Sequence, residues 1–470
     1  MKYYLSVLPI LLSVYACAPK EFTDATPPAA LARVYVTTAD STKLLEPSAL
    51  AEITPGDSSI LLEPDTIYQE MEGFGFTLTG GSAMLLYRLP DEQRRAVLEE
   101  LFSTAPDAIG ISYLRLSIGA SDLDDRVFSY ADLPAGQVDP ELSGFSLDND
   151  RTHLIPVLRE ILDINPDIKL MGSPWSPPVW MKDNKHSVGG SLLPEYYAAY
   201  AQYFVKYVQG MQELGIPMDA ITVQNEPLHP GNNPSLLMEA AQQATFVGRH
   251  LGPAFAEAGL STKIVIYDHN ADRPDYPLSV LGDSVARRYV HGTAFHLYGG
   301  SVDNISQVHE AYPNKHLYFT EQWIGAPGNF AEDMRWHARE LLIGAPRNWC
   351  ETVLEWNLAA DAEQNPHTDG GCTRCLGALT IDGHRVHRNT AYYLIAHAAK
   401  FVRPGSVRIG SRTVRGLPNV AYRAPTGQFV VIVLNDTDTS RRVEIKLDDR
   451  AYGNELPGGA LATYVLPAAE

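Results

Sequence analysis

The sequence predicts an α/β fold, a (β/α)8 TIM barrel with a β-sandwich side domain built from both chain ends. In the middle of the chain, eight short strand-like runs alternate with amphipathic helical segments, which is the pattern of a βα barrel. At both ends, short apolar runs lie close together between turn-forming residues, which is typical of a small all-β unit. We place the barrel at residues 67–402 and the sandwich at residues 31–66 and 403–470.

The composition allows this architecture and limits the partners. The chain has 470 residues, of which 45% are hydrophobic, so it can bury a large core. Its formal net charge is −19. Because such a charge repels nucleic acid and anionic membrane surfaces, we expect no nucleic-acid partner and favour a neutral substrate. The sequence leaves the oligomeric state open.

The N-terminal residues 1–17 resemble a bacterial lipoprotein signal peptide. Lys2 precedes an apolar run that is too short to span a membrane and that ends at Cys17, the residue lipidated in such proteins. Tyr15 is larger than the residue usual before such a site, so ordinary secretion is the alternative. Residues 18–30 predict a flexible tether. We expect export to the bacterial cell surface or periplasm, with outer-leaflet anchoring through a lipidated Cys17.

Three further cysteines lie at positions 350, 372 and 375. Cys372 and Cys375 form a C-x-x-C pair, but the second pair that a four-ligand zinc site needs is missing. A thioredoxin-like redox role would need a βαβ context that this region does not have. We therefore expect no metal here, and a loop pair that can be oxidised outside the cytoplasm.

The predicted elements follow from apolar periodicity. One helix spans 197–211 with apolar residues three and four apart, another follows Pro90, and a third lies between Ser235 and Gly252. The predicted barrel strands are 73–79, 112–117, 168–172, 220–224, 263–267, 292–296, 317–320 and 352–356. The predicted sandwich strands are 32–36, 59–62, 407–409, 419–423, 429–434, 443–447 and 460–466.

Polar and aromatic residues gather directly after the barrel strands. The C-terminal ends of barrel strands meet at one face, where TIM barrels carry their chemistry. Indole and phenol rings stack on sugar rings, while charged and amide groups bind the hydroxyls, so this pattern predicts a sugar site. The candidates are Arg115, Asp122, Trp175, Asn225, Glu226, His296, Tyr298, Glu321, Trp323, Trp356 and Asn357.

Two of these candidates are carboxylates on different strands. Glu226 ends the fourth predicted strand, where Pro227 disfavours helical geometry, and Glu321 ends the seventh. Retaining glycoside hydrolysis needs such a pair, one acid to protonate the leaving oxygen and one nucleophile to attack the sugar.

Each candidate taken singly has a structural alternative. A strand-terminal Glu226 can cap the next helix or join an ion pair, and His296 can be a hydrogen-bonded core residue. Trp175 can pack a loop, and Arg115 can hold the barrel together by pairing with a carboxylate. Their joint occurrence at the strand ends favours a site, because packing alone does not require polar groups at the same end of every strand.

Six segments resemble the signature motifs of glycoside hydrolase family 30. They are residues 71–79, 173–181, 224–227, 296–298, 319–323 and 356–358. The resemblance implies that Glu226 is the acid/base, that Glu321 is the nucleophile and that Asn225 holds the sugar 2-hydroxyl. It also implies that Arg115, Asp122, Trp175 and Trp356 line the glucose subsite, and that His296 and Tyr298 flank the nucleophile.

The residues suit that chemistry independently of the resemblance. A nucleophile must stay ionised, and Arg115, His296 and Tyr298 are available as donors to Glu321. The acid must keep its proton, so we expect burial to raise the pKa of Glu226. The mechanism needs two carboxylates and water, so we expect no cofactor and no metal.

The substrate is expected to be a β-glucan or β-glucoside, and the resemblance favours an endo-β-1,6-glucanase. Segment 226–238 and Gln322-Trp323 resemble the bacterial β-1,6-glucanases, and Trp323 offers a stacking surface for a further glucose unit. The alternatives are a glucosylceramidase, a broader β-glucosidase, or a carbohydrate-binding protein without turnover. Endo or exo action and chain-length preference are not indicated.

Overall fold

The computed structural model describes residues 1, 31–54 and 59–468. The predicted lipidation site Cys17 and the predicted tether at 18–30 lie outside the described residues, as does nearly all of the predicted signal peptide. Within the described part of the chain, every helix is too short or too polar to cross a membrane.

Eight parallel strands form a closed barrel in which neighbours in sequence are neighbours in space, so the predicted barrel is confirmed. The strands are Gly73–Leu78, Tyr113–Ser117, Lys169–Ser173, Ala220–Thr222, Lys263–Ala271, Val290–Gly300, His316–Glu321 and Cys350–Asn357. The fourth strand stops two residues earlier than predicted. Its chain turns away there, because the backbone N–H of Asn225 donates to the carbonyl of Pro174 and that of Glu226 to the carbonyl of Asp268.

The barrel interior is a packed core rather than a channel. One layer takes a side chain from each of seven strands: Tyr113, Met171, Ala220, Val265, Ala294, Tyr318 and Leu354. On the first strand, Gly75 leaves no room for a side chain, because a Cβ there would lie 1.8 Å from the carbonyl oxygen of Tyr113. The filled interior leaves no passage through the barrel. The end at which the strand C-termini lie is therefore where a functional site can form.

Helices surround the barrel. They are Gly80–Tyr87, Asp91–Phe102, Leu154–Ile164, Tyr197–Glu213, Ala240–Phe246, Gly252–Glu257, Asp275–Gly282, Ser306–Ala311, Phe330–His337, Ala345–Arg347 and Thr390–Ala399. Two π-helical stretches, Val247–Leu251 and Ala338–Gly344, join helices on either side of them. The predicted stripe of helix Tyr197–Glu213 is confirmed, since Tyr200, Phe204 and Met211 are all buried. Short 3-10 turns lie at Asp148–Arg151, Val179–Met181, Pro194–Tyr196, Ala286–Arg288 and Val302–Ile305.

The third predicted helix is wrong at both ends. It begins at Ala240 rather than after Ser235, because Glu239 and Gln242 form a capping box there. It also continues through Gly252 instead of stopping before it. Gly252 does not end the helix but lets it pack closely against Tyr289, because a Cβ at position 252 would lie 2.1 Å from that ring.

The side domain takes strands from both chain ends, as predicted. Its strand order is Glu46–Ser48, Arg33–Thr37, Leu461–Leu466, Phe429–Leu434, Asn419–Arg423, Val407–Ser411, Ile60–Glu70, Arg441–Leu447, Arg450–Leu456 and Ala51–Glu52. N-terminal Val34 and Ile60 share one buried cluster with C-terminal Val431 and Ile445. The strand Arg450–Leu456 was not predicted, because Gly453 and Asn454 interrupt its apolar pattern.

The two units are joined covalently and by packing. Strand Ile60–Glu70 of the sandwich leads within three residues into the first barrel strand. The last helix carries His397, whose ring nitrogens each lie 2.8 Å from a threonine hydroxyl of the sandwich, Thr463 and Thr37. Burial lowers the pKa of His397 to about 3, so the imidazole joins the two units as a neutral group.

Two small sheets lie at the top of the barrel. Strand Ile324–Gly325, which follows the seventh barrel strand, pairs antiparallel with Cys375–Leu376. Strands Ala359–Ala360, Leu379–Asp382 and Arg385–Arg388 form the other sheet. Apart from Ile324–Gly325, these strands belong to the long connection after the eighth barrel strand, which therefore covers part of the face where the strands end.

Candidate active site

A cavity of about 350 Å³ opens at the C-terminal ends of the barrel strands. Its lining is Asp122, Trp175, Glu226, His229, Asn232, Asn270, Tyr298, Glu321, Trp323, Trp356, Cys372 and Cys375. Seven of the predicted site residues are among them. Four others, Arg115, Asn225, His296 and Asn357, are buried outside the lining.

Arg115 is fully buried beneath the cavity and binds two carboxylates. Its Nη1 donates to Oε2 of Glu321 over 2.6 Å, and its Nη2 to Oδ2 of Asp268 over 2.8 Å. Nη2 also donates to Oδ1 of Asn225 over 2.6 Å, and Nε to Oγ of Ser173 over 3.0 Å. The alternative that Arg115 pairs with carboxylates of the barrel is therefore observed, and one of these is the predicted nucleophile.

Glu321 receives donors on both carboxylate oxygens. Besides Arg115 on Oε2, the hydroxyl of Tyr298 donates to Oε1 over 3.0 Å. Nδ1 of His296 lies 3.8 Å from the same oxygen. Two donors, one of them charged, therefore hold the carboxylate of Glu321 in place.

Glu226 is held in a backbone conformation that side chains seldom adopt, with φ at +46°. Its Oε2 accepts a hydrogen bond from Nδ2 of Asn232 over 3.1 Å. Its Oε1 lies 3.6 Å from Nδ1 of His269 and 3.5 Å from Nδ1 of His296. The carboxylate thus faces an amide on one side and two imidazoles on the other.

The expected rise in the pKa of Glu226 is wrong for the substrate-free site. Burial does act to raise this pKa, but the two imidazoles 3.6 and 3.5 Å from Oε1 outweigh it and hold the pKa well below its usual range. The proton near Glu226 therefore rests on imidazole in this state.

His296 links the two carboxylates. Its Nδ1 faces both Glu226 and Glu321, so their Oε1 atoms lie no further apart than the sum of 3.5 and 3.8 Å. Its Nε2 lies 3.1 Å from Oδ1 of Asp268. Burial would lower the pKa of His296, but the charge of Glu321, the hydrogen bond to Asp268 and the nearby carboxylate of Glu226 raise it to about 9.

Tryptophan rings form one wall of the cavity. Trp175 and Trp356 stack with centroids 5.4 Å apart, and the guanidinium of Arg115 lies 4.8 Å from the centre of Trp175. Trp323 is the more exposed of the three, and a Cβ at Gly325 would lie 3.2 Å from its ring. The glycine therefore leaves space for the indole to lie flat, with its other face available.

Asp122 stands across the cavity and carries a perturbed carboxyl. Burial, followed by the negative charge of Glu321, raises the pKa of Asp122 to about 7. The backbone N–H of Cys372 donates to its Oδ2 over 3.3 Å. Cys372 is joined to Cys375 by a disulfide, so the predicted oxidised pair is present.

Family models match the barrel and the C-terminal part of the sandwich. Residues 71–402 match the glycosyl hydrolase family 30 TIM-barrel domain, and residues 405–464 match the glycosyl hydrolase family 30 beta sandwich domain. The chain belongs to glycosyl hydrolase family 30.

Relatives of the chain include endo-1,6-β-glucanases and glucosylceramidases. The chain is 35% identical over 430 residues to the endo-1,6-beta-D-glucanase neg1 of Aspergillus fumigatus, with 85% of this chain and 86% of that protein covered. It is 28% identical over 427 residues to the lysosomal acid glucosylceramidase of Mus musculus, with 85% and 81% covered.

A solved structure, the endo-beta1,6-glucanase BT3312, aligns with a TM-score of 0.85 at 35% identity. The alignment covers 93% of this chain and 99% of that one. The chain therefore spans nearly the full length of a family 30 glucanase.

Asn357 contacts the helix that follows the first barrel strand, and its role in substrate binding stays a prediction. Its Oδ1 accepts a hydrogen bond from the hydroxyl of Ser82 over 2.8 Å, and Ser82 belongs to the helix after the first strand. Asn225 likewise turns its side-chain oxygen toward Arg115. Both side chains support neighbouring groups from below the cavity.

Sequence reasoning missed three side chains that hold the site together. Asp268 accepts hydrogen bonds from Arg115 and from the hydroxyls of Thr222 and Thr320, the latter two over 2.7 Å. His269 and Asn232 contact Glu226. Asp268 and His269 directly follow the predicted end of the fifth strand and so belong to the strand-end pattern, but that pattern assigned them no role.

Glu226, His269 and His296 also form the one group among the described residues that could hold a metal ion, with ligand atoms within 4.8 Å of one another. The same atoms lie close enough for a proton to be shared between the carboxylate and the two imidazoles. The expectation of a metal-free enzyme stays a prediction.

Proposed function

We propose that this family 30 member is a retaining endo-β-1,6-glucanase in which Glu321 is the nucleophile and Glu226 the acid/base. The observation that carries the mechanism is the approach of both carboxylates to the same nitrogen, Nδ1 of His296, at 3.5 and 3.8 Å. The resulting upper limit on the separation of their Oε1 atoms accommodates the ~5–5.5 Å of retaining enzymes and reaches only into the lower part of the ~6.5–9.5 Å range of inverting ones.

The two carboxylates have environments suited to different roles. Glu321 has Arg115 and Tyr298 as donors and no proton to give, so it attacks the anomeric carbon as the leaving oxygen departs. Glu226 receives a proton from the neighbouring imidazole, 3.5 Å away, and passes it to that oxygen. In the second step Glu226 takes a proton from water, and the hydroxide breaks the ester to Glu321.

The charges around His296 make this exchange reversible. The charge of Glu321 is a main cause of the raised pKa of His296, and ester formation removes that charge. The imidazole, which gave its proton to Glu226 in the first step, is then less basic, so Glu226 can take the proton of water. That proton returns to the imidazole when the ester breaks and the charge of Glu321 is restored. Arg115 remains paired with Asp268 throughout, so one positive charge stays next to the nucleophile.

The remaining cavity residues fit a glucan. Trp175 and Trp356 would contact the sugar attacked by Glu321, Asp122 would bind its hydroxyls, and the exposed face of Trp323 would stack on the next glucose unit. Support for β-1,6 linkages comes from the 35% identity to two endo-1,6-β-glucanases over most of the chain.

The test is hydrolysis of pustulan, a β-1,6-glucan, by the wild type and by Glu321→Gln. We expect the wild type to release oligosaccharides whose new reducing ends are initially β, as seen by NMR, and the variant to release none. Initial release of the α-anomer would contradict a retaining mechanism. Activity that survives a chelator is expected, and its loss would overturn the metal-free mechanism.

A glucosylceramidase is the second candidate, supported by the 28% identity to the mouse enzyme. Assaying pustulan beside glucosylceramide in detergent micelles separates the two. Cleavage of the lipid alone would refute the glucanase, and binding of pustulan without any product would support a carbohydrate-binding protein.

We further propose that the protein is exported and anchored by lipid on Cys17, because the preceding segment has the composition of a lipoprotein signal. Labelled fatty acid should enter the wild type and not Cys17→Ser. Equal labelling of both would exclude lipidation at this residue.

A further inference from the structure

We propose that the Cys372–Cys375 disulfide positions the substrate pocket, and that opening it weakens sugar binding while leaving the bond-breaking step nearly unchanged. This inference rests on the proposed hydrolysis of β-linked glucose at the same cavity. It concerns the segment of residues 368–375, which we call the disulfide loop.

The disulfide is part of the cavity wall. Both cysteines line the cavity, and Cys375 packs in one buried cluster with Leu123, Trp175 and Trp356. Cys372 and Trp323 pack against the edge of this cluster. The sulfur atoms therefore support the same rings that are proposed to stack on the substrate.

The disulfide loop is tied to Asp122 at two points. The N–H of Cys372 donates to the carboxylate, and the N–H of Thr368 donates to the backbone carbonyl of the same residue over 2.9 Å. The fit is tight, because a Cβ at Gly371 would lie 2.3 Å from that carbonyl oxygen. A shift of the loop therefore moves the group proposed to bind sugar hydroxyls.

The loop also joins the segments that follow the two catalytic strands. The hydroxyl of Thr368 donates to the carbonyl of Asn233, which is next to the Asn232 that contacts Glu226. On the other side, the N–H of Ala326 donates to the carbonyl of Arg374 over 2.7 Å, just beyond Trp323. One covalent link thus fixes a loop that touches three sides of the cavity.

The size of the disulfide ring points to a local role. The two cysteines are three positions apart. The stabilisation that a disulfide gives by restricting the unfolded chain grows with the length of the closed loop, so a ring this small contributes little to global stability. What it does restrict is the conformation of the loop itself.

Opening the disulfide has a defined chemical balance. A dithiol reductant supplies two electrons, the S–S bond breaks, each sulfur takes a proton, and the reductant becomes a disulfide. Without the ring, the N–H of Cys372 is no longer held toward Asp122. The donor that lowers the pKa of Asp122 is then lost, so this pKa rises further and the carboxylate form needed for sugar binding is depleted at neutral pH.

The test compares wild type, Cys372→Ser/Cys375→Ser and Cys350→Ala on β-1,6-linked gluco-oligosaccharides and on an aryl β-glucoside. For the double variant we expect KM to rise about fivefold or more on both substrates, kcat to stay within about twofold, and the increase in KM to be larger at pH 7 than at pH 9. Dithiothreitol should have the same effect on the wild type and on Cys350→Ala, and none on the double variant.

Unchanged KM in the double variant, or in the reduced wild type if the double variant does not fold, would overturn the proposal. A parallel fall of kcat and melting temperature without a change in KM would overturn it as well, since that is the behaviour of a purely structural bridge. If the wild type ignores β-1,6-glucan but turns over the aryl glucoside, the substrate assignment fails while the disulfide test stays readable.

Discussion

Replacing Asp268 by asparagine should impair catalysis and stability together, because this residue binds Arg115 and His296 at once. Its Oδ2 accepts from Arg115 over 2.8 Å, and its Oδ1 lies 3.1 Å from Nε2 of His296. Asparagine keeps the shape but offers one acceptor in place of two. We expect its oxygen to face Arg115, since an amide N–H there would oppose the guanidinium donors, and its amide to face His296.

The magnitude follows from the loss of a buried charge. Removing one partner of a buried ion pair costs about 3–5 kcal/mol. Arg115 keeps Glu321 and Asn225, so we take the lower end, about 3 kcal/mol. At about 2.1 cal/mol/K per residue, the melting temperature should fall by roughly 3 °C. A loss of comparable size in transition-state stabilisation would lower kcat/KM by about 100-fold.

The pH profile separates a positioning role from a structural one. Below its pKa of about 9 His296 is protonated, and the negative charge of Asp268 is one of the causes that raise this value. In Asp268→Asn the alkaline fall of kcat/KM should therefore move to lower pH. The matched control is Asp167→Asn on an exposed loop, which should alter neither activity nor melting temperature.

The assay is hydrolysis of an aryl β-glucoside from pH 4 to 10, with melting temperatures measured in parallel. Activity within threefold of wild type, or an alkaline limb that stays in place while the melting temperature drops, would refute the role assigned to Asp268.

Three further predictions concern single side chains. Glu226→Ala should lose about 1,000-fold in kcat/KM on oligosaccharides. Azide should restore turnover of an activated aryl glucoside by this variant, with a β-glucosyl azide as product. An α-glucosyl azide, or no rescue, would count against Glu226 as acid/base. Trp323→Ala should raise KM for a β-1,6-linked trisaccharide up to about tenfold and leave an aryl glucoside within about twofold, because only the longer substrate reaches that indole; equal effects on both would exclude a separate stacking site. Burial raises the pKa of Asp124 to about 8, so the folded state keeps a proton that the unfolded state releases near pH 4. The melting temperature should therefore fall as the pH rises from about 4 to about 8. Asp124→Asn should flatten this fall, and an unchanged slope would contradict the protonated carboxyl.

The strand ends were predictable because polarity after an apolar run is a local property of the sequence. Glu226, Glu321 and Trp175 could be assigned in this way, and they do line one cavity. The role of Asp268 could not, because its partners Arg115 and His296 come from other strands and meet it only when the barrel closes.

The pKa of Glu226 could not be predicted either, because it depends on side chains that meet only when the barrel closes. Burial of Glu226 was expected from its strand-end position, and burial alone would raise its pKa. The opposite direction results from His269 on the next strand and His296 on the one after it, whose distances the sequence does not contain. The strand Arg450–Leu456 was missed for a similar reason. Its own residue pattern does not indicate a strand, and it becomes one by pairing with Arg441–Leu447.

The interleaving of both termini in the side domain has a consequence for biogenesis. The strand Leu461–Leu466 is the third of ten in the sheet and lies between Arg33–Thr37 and Phe429–Leu434, so these two strands cannot join one sheet until it arrives. This domain can therefore close only after the chain has been made as far as residue 466, which leaves the earlier strands open during any passage through a translocation pore. Deleting residues 461–466 should therefore remove an inner strand of the sheet and not an edge strand.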